Sequence, residues 1–327
     1  MSTQTKAKKL QVLEAPSPRE ALQEAVASFV RRGQARSLSP RTVEFYQERL
    51  GVFLRWLDAE KLDLNPADAS ADVVRDFLAA EKERTSAATA NHAYVALRAL
   101  LRYLEAEEWI AANPMERVEK VRTTRKLIET FTQEQVEALL AQCSRSFNGA
   151  RLRAIILTLV DCGLRASELC GLTLDGVSWD EGTLKVMGKG SKERVVPFGE
   201  ATRQSLLAYV SRRGNLRGQG ALFVTSLGDA LNRHELHRVL SEAGKRAGLT
   251  GVRCSPHTFR HTCAVSYLRN GGDAFTLQKL LGHSDLAMTR RYCELSSADV
   301  VAKHRQFSPG DRFLSQVQKA GGRKRLR

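Results

Sequence analysis

Val177-Ser178-Trp179-Asp180-Glu181-Gly182-Thr183-Leu184-Lys185-Val186-Met187-Gly188-Lys189-Gly190-Ser191-Lys192-Glu193-Arg194-Val195-Val196-Pro197 is the stretch in which the hydrophobic period changes to two. Alternating residues flank Asp180-Glu181-Gly182, and again Gly188-Lys189-Gly190-Ser191-Lys192, which predicts a small antiparallel sheet. Its second turn is rich in glycine and carries a lysine. The other periodic segments follow helical spacing, so the expected class is mainly α, with an α+β C-terminal half.

Upstream, Leu152, Ile155, Ile156 and Leu159 mark a buried helix ending just before Cys162-Gly163-Leu164-Arg165-Ala166-Ser167-Glu168-Leu169. A capping box, Thr132 with Gln135, opens this half of the chain. Four amphipathic helices are expected ahead of it. The first starts at Ser17-Pro18-Arg19-Glu20 and keeps Leu22, Val26, Phe29 and Val30 on one face. The second starts at Ser39-Pro40, with a stripe of Val43, Tyr46, Leu50, Phe53 and Leu57. A third runs roughly from Ser70 to Ala80. The fourth follows Thr85-Ser86, carries Tyr94, Leu97, Leu101 and Leu104, and stops before Asn113-Pro114, since proline pushes its predecessor out of helical geometry.

The expected layout is therefore a disordered tail over 1–16, a compact helical domain over 17–113, a basic linker over 114–130, a second domain over 131–313 and a basic tail over 314–327. The linker carries Arg117, Lys120, Arg122, Arg125 and Lys126, candidate contacts for a polyanion; a solvated helix extension is the alternative.

Bulk composition agrees with two domains. The chain has 327 residues, 43% hydrophobic and 27% charged, more than one core ordinarily accommodates. No apolar run is long enough for a membrane span and the N-terminus is polar, so neither secretion nor insertion is expected. The six cysteines include no Cys-x-x-Cys pair, which argues against a zinc ribbon or redox pair and for a reducing cytoplasm. Lys and Arg number 51 against 36 Asp and Glu, a net +15. That surplus favours nucleic acid as partner, and hence association with the nucleoid, although ribosomal and lipid-binding proteins share it.

Six residues of the C-terminal half suit one phosphodiester: Arg165, Lys189, His257, Arg260, His283 and Tyr292. A phosphodiester resists attack because its non-bridging oxygens repel nucleophiles, and its transition state gathers more charge there. Arginine meets both difficulties with a fixed fork of donors. Glu168, one turn past Arg165, is placed to orient it; an ordinary surface pair is the alternative. Lys189 lies between glycines, and the phosphate-binding P-loop pattern is absent. His257, Arg260 and His261 share a helix face. Thr258 stands where a zincin requires Glu, so no metal is expected. His261 reads as a supporting or packed histidine rather than a reactant. His283, at a turn, is by itself an ordinary structural histidine. Tyr292 has a hydroxyl with an unperturbed pKa of about 10 and needs neighbours that ease proton loss before it attacks anything.

The chain resembles the tyrosine recombinases of the phage-integrase class, which include the Xer proteins, from about Ser17 to Asp311. Ala90-Asn91-His92-Ala93-Tyr94 and Asn113-Pro114 resemble the family's N-terminal SAM-like core-binding domain. Leu164-Arg165-x-Ser167-Glu168-Leu169, Gly188-Lys189-Gly190-Ser191-Lys192-Glu193-Arg194, His257-x-x-Arg260-His261 and Leu281-Gly282-His283-Ser284 with Tyr292 resemble its catalytic boxes. The resemblance implies two domains closing as a clamp on double-stranded DNA. It also implies that Tyr292 forms a 3′-phosphotyrosyl link, Lys189 protonates the leaving 5′ oxygen, and Arg165 and Arg260 hold the phosphate with Glu168 in support. His257 and His283 would serve proton transfer and hydrogen bonding, without cofactor or metal.

Site-specific recombination within a homotetramer is the implied function, a second recombinase or directionality factor being compatible with it. Met288 to Tyr292 and His304-Arg305 with Ser308-Pro309 resemble mobile-element integrases somewhat more than Xer proteins. Integration or excision of a mobile element is therefore expected first, and Xer-like dimer resolution is the alternative. Topoisomerase relaxation and a DNA-binding protein with a vestigial site are the remaining rivals. A short helix over Ser297–Phe307 is expected to pack into a neighbouring subunit, or else to cap its own domain.

Overall fold

The computed structural model describes residues 16–123, 129–188, 193–214, 220–282, 289, 292, 301 and 304–310. The chain divides into two compact units, Met1–Lys126 and Leu127–Arg327. No helix among the described residues is long and apolar enough to cross a membrane.

The first unit is helical: α1 (Pro18–Ala35), α2 (Pro40–Ala59), α3 (Ala71–Arg84) and α4 (Ala87–Ala106), with short 3-10 turns at Pro66–Asp68 and Pro114–Arg117. Each long helix begins on a serine whose hydroxyl accepts from the backbone N–H three residues on, at Ser17, Ser39, Ser70 and Ser86. Replacing such a cap by Ala costs about 1 kcal/mol. Ser17 and Glu20 form the expected capping box. The third helix runs further than its apolar pattern suggested, to Arg84, because Lys82 and Arg84 in its last turn complement the helix dipole. Leu50, Phe53, Leu57, Phe77, Leu97, Leu100 and Leu104 fill the core.

The start of the expected linker is strapped to this core. Met115 and Val118 are buried in it, and Val121 packs against it. The Tyr94 hydroxyl donates to the Val118 carbonyl at 3.3 Å and Asn91 Nδ2 to the Val121 carbonyl at 2.8 Å. The physical reason is an apolar residue at every third position, which anchors the segment and leaves Arg117, Lys120 and Arg122 exposed between the anchors. Arg125 and Lys126 lie outside the described residues.

The second unit begins at α5 (Gln133–Ala141), on the expected Thr132 and Gln135 capping box. α6 (Phe147–Cys162) and α7 (Ala166–Cys170) follow, then β1 (Val177–Ser178), β2 (Thr183–Met187) and β3 (Glu193–Pro197), then α8 (Glu200–Arg213), α9 (Arg233–Arg246), α10 (Pro256–Arg269) and α11 (Ala274–Leu281). The sheet is antiparallel in the order β1-β2-β3, with Leu184 opposite both Val177 and Val196. Leu184, Val186 and Val196 face the core with no exposure. Asp161, on α6, accepts from the Gly199 N–H and the Thr202 hydroxyl, both at 2.7 Å, and so caps α8 where no local side chain does. Of the helix expected over Ser297–Phe307, Val301 and the residues from His304 to Phe307 are described, and they are helical. The chain tails 1–15 and 311–327 lie outside the described residues.

Candidate active site

α6 ends at Gly163, whose φ of 59° is left-handed, and the chain turns at once into α7. A Cβ at Gly163 would stand 2.6 Å from Leu281 Cδ2 and 2.9 Å from Cys263 Sγ, so only glycine lets α10 and α11 close on this corner. Arg165 caps α7. Its N–H donates to Glu168 Oε2 at 2.8 Å, and its Nη1 donates to Glu168 Oε1 at 2.7 Å. Nη2 donates to the Gly282 carbonyl at 3.4 Å. The Arg165 side chain keeps 38% of its surface exposed, whereas Glu168 keeps 3%.

α10 starts on Ser255, with Pro256 in its first turn, and carries His257, Arg260 and His261. Arg260 is buried and spends its fork on the ends of two other helices: Nη1 donates to the Gly163 carbonyl at 2.7 Å, Nη2 to the Leu281 carbonyl at 2.8 Å. Helix C-termini carry partial negative charge, which suits a cation there. Burial, then the nearby Arg165 charge, lower the Arg260 pKa to about 10; it stays a cation at neutral pH.

Glu168 is the electrostatic centre. Arg194, on β3, donates Nη1 to its Oε1 at 2.9 Å and Nη2 to its Oε2 at 3.0 Å. Arg260 Nη1 lies 4.0 Å from Oε2. Burial pushes this carboxyl up, but hydrogen bonds from Arg194 and Arg165 and the Arg194 charge outweigh it and bring the pKa down to about 2. Three guanidiniums thus share one carboxylate, and the cluster keeps a surplus of positive charge suited to an anion.

On the same helix α10, the His257 and His261 rings meet edge to face with centroids 4.2 Å apart. His261 Nδ1 lies 2.7 Å from the Tyr292 hydroxyl. The Tyr292 N–H donates to the Thr289 carbonyl at 2.9 Å, and its ring packs against the cluster of Ala264, Leu268, Leu277 and Leu281. Lys189 and His283 lie outside the described residues. Buried Cys263 is pushed up to about 12 by burial, and half-buried Cys170 and Cys254 to about 11 by the same cause, which makes these thiols poor nucleophiles.

Arg165, Glu168 and Arg260 therefore meet, and His257, His261 and Tyr292 meet. Sequence reasoning missed Arg194, and it read His261 without its contact to Tyr292. One signal for Arg194 was available: on β3 it shares the inward register of Val196, and an inward arginine on a strand needs a buried carboxylate.

Residues 129–298 match the family model described as phage integrase family, and residues 33–108 match the one described as phage integrase, N-terminal SAM-like domain. The chain belongs to the phage integrase family. It is a tyrosine recombinase, 35% identical to the tyrosine recombinase XerD of Pseudomonas putida over 84% of this chain and 93% of that protein. It is 34% identical to the XerC of Pelobacter propionicus over 80% of this chain and 87% of that protein. The fold is shared with the XerH site-specific recombinase bound to its difH substrate, at a TM-score of 0.69 and 20% identity, covering 88% of this chain and 97% of that one. A lambda integrase dimer bound to a COC′ core site gives a TM-score of 0.68 at 19% identity, covering 82% and 96%. The Xer names of the curated relatives run against the first expectation of a mobile-element integrase and favour its alternative.

Proposed function

We propose that this recombinase cuts and rejoins duplex DNA at a specific site, with Tyr292 as nucleophile and Arg165 and Arg260 as the phosphate clamp. The observation that carries the reading is the three-arginine cluster around buried Glu168, in the same unit as a tyrosine hydroxyl already hydrogen-bonded to an imidazole. Such a cluster stabilises charge gathering on non-bridging oxygens, and the tyrosine supplies the covalent intermediate that keeps the bond energy. Lys189 protonates the leaving 5′ oxygen, and His257 and His283 donate to the phosphate. No metal or cofactor is required by these roles.

Tyr292→Phe tests this directly. A duplex carrying the site, nicked beside the scissile phosphate, traps wild type as a covalent adduct; the variant binds the duplex and forms none. An adduct formed by the Phe variant would show that another residue attacks.

Similarity to XerD and XerC supports Xer-like dimer resolution, paired with a second recombinase, over integration of a mobile element. Strand exchange between two sites calls for four protomers, and the exposed Val301 and Phe307 of the C-terminal helix are suited to reach a neighbour. Truncation after Glu294 then preserves single-site binding and loses synapsis. A truncated chain that recombines at full rate sinks this assignment of the C-terminal helix.

A further inference from the structure

Tyr292 needs somewhere to send its proton. A neutral phenol is a weak nucleophile, and proteins activate one by holding a base within hydrogen-bond reach and orienting that base with a third group. The first requirement is met by a residue outside the pair to which proton transfer has been given above, and the second by His257 of that pair. His261 Nδ1 stands 2.7 Å from the Tyr292 hydroxyl, and the His257 ring lies against His261, centroids 4.2 Å apart and planes 69° apart. The tyrosine ring is tilted against that of His261, centroids 5.5 Å apart and planes 55° apart. In the tautomer with its proton on Nε2, His261 Nδ1 accepts from the tyrosine O–H.

Helical spacing explains why His261 and not His257 has this place. Residues 257 and 261 share a face one turn apart. His257, nearer the start of α10, is exposed, while His261 is half-buried beside Tyr292. His257 is thus placed to meet substrate and to fix the His261 ring plane, and His261 to meet the nucleophile.

We propose that His261 is a catalytic residue, the proton acceptor for Tyr292. This rests on Tyr292 being the nucleophile. As the Tyr292 oxygen forms its bond to phosphorus, the phenolic proton passes to His261 Nδ1. The bond from phosphorus to the 5′ oxygen breaks, and that oxygen takes a proton from the general acid assigned to Lys189. Religation reverses each transfer: the 5′ hydroxyl attacks phosphorus, its proton returns to that acid, and the departing tyrosine oxygen recovers its own from His261.

His261→Asn is the decisive variant, because the Asn side-chain oxygen can still accept the tyrosine hydrogen bond but is not basic. Full-length protein is assayed for single-turnover cleavage of the nicked duplex, with DNA affinity and circular dichroism as controls. General bases contribute at least roughly a hundredfold, so cleavage by His261→Asn falls by about that factor with DNA affinity unchanged. Ring-fluorinated tyrosine incorporated at position 292 is a more acidic phenol with less need of a base. In the His261→Asn background it narrows the deficit to about tenfold or less, a recovery that no purely structural role of His261 predicts. Full-rate cleavage by His261→Asn, a deficit the fluorinated phenol leaves untouched, or a fluorine-sensitive deficit in His257→Asn alone overturns the assignment. Failure of the underlying reading looks different: the adduct then forms without Tyr292, in Tyr292→Phe.

Discussion

Arg194 grips both oxygens of Glu168, Nη1 on Oε1 at 2.9 Å and Nη2 on Oε2 at 3.0 Å, across 26 residues of sequence. Its Nε donates to the Leu280 carbonyl at 3.3 Å, so one side chain ties β3 to α7 and to the end of α11. Gly282, left-handed at φ 64°, follows that end; a Cβ there would meet the Arg194 guanidinium carbon at 3.0 Å. The arginine side chain thus packs close against the Gly282 backbone.

Arg194→Lys removes the fork while keeping the charge. A lysine offers one compact ammonium and cannot bridge both carboxylate oxygens in the same plane. The expected result is a loss of about 1.5–3 kcal/mol in denaturant unfolding, the scale of a hydrogen bond to a charged group. Cleavage should slow by roughly a hundredfold because Glu168, the partner of Arg165, is no longer held in place by the Arg194 fork. Unchanged cleavage by a folded Arg194→Lys variant would mean that Arg165 is held without it.

Glu168 makes stability depend on acid. Its folded pKa, about 2, lies below the ordinary carboxylate value of 4.5. The stabilisation is therefore complete above about pH 4.5 and drains away as pH falls towards 2. Glu168→Gln should cost roughly 3–5 kcal/mol at neutral pH, because three buried or half-buried guanidiniums lose their counter-charge. The gap between variant and wild type should shrink in denaturation series taken from pH 5 down to pH 2. A gap that stays constant over that range would contradict the depressed carboxyl.

For the leaving group, Lys189→Ala should cleave an ordinary duplex far more slowly than wild type. A duplex with sulfur in place of the 5′ bridging oxygen leaves without needing a proton, so it should recover much of the lost rate. Equal impairment on the two substrates would remove Lys189 as the acid.

The basic segment after α4 predicts a salt effect. Arg117, Lys120 and Arg122 are exposed, and with Arg125 and Lys126 they are candidates for binding phosphate. Replacing all five with Ala should flatten the plot of log affinity against log salt, by roughly 0.9 for each phosphate no longer neutralised. Cleavage by the bound complex should hardly change. A slope equal to that of wild type places the segment off the DNA.

Much of the fold was legible because its signals are local. Ser17 with Glu20, Thr132 with Gln135 and the apolar stripes at 43, 50, 53 and 57 act within a turn or two of helix. The antiparallel hairpins followed from alternation and glycine turns. The linker was misjudged at its start because Met115, Val118 and Val121 anchor a segment whose charges dominate its composition.

The sequence by itself determined the two-unit, mainly helical build, the pattern of residues that marks the family, and which residue types stand ready for a phosphodiester. Tertiary structure decided which of them touch. Arg260 reaches Gly163 across 97 residues, Arg165 reaches Gly282 across 117, and His261 reaches Tyr292 across 31. Such pairings depend on how α6, α10 and α11 pack together, and that follows from the shape of the whole buried core. No spacing along the chain encodes them, so the grip of Arg194 on Glu168 and the contact of His261 with Tyr292 emerged only when the elements were assembled.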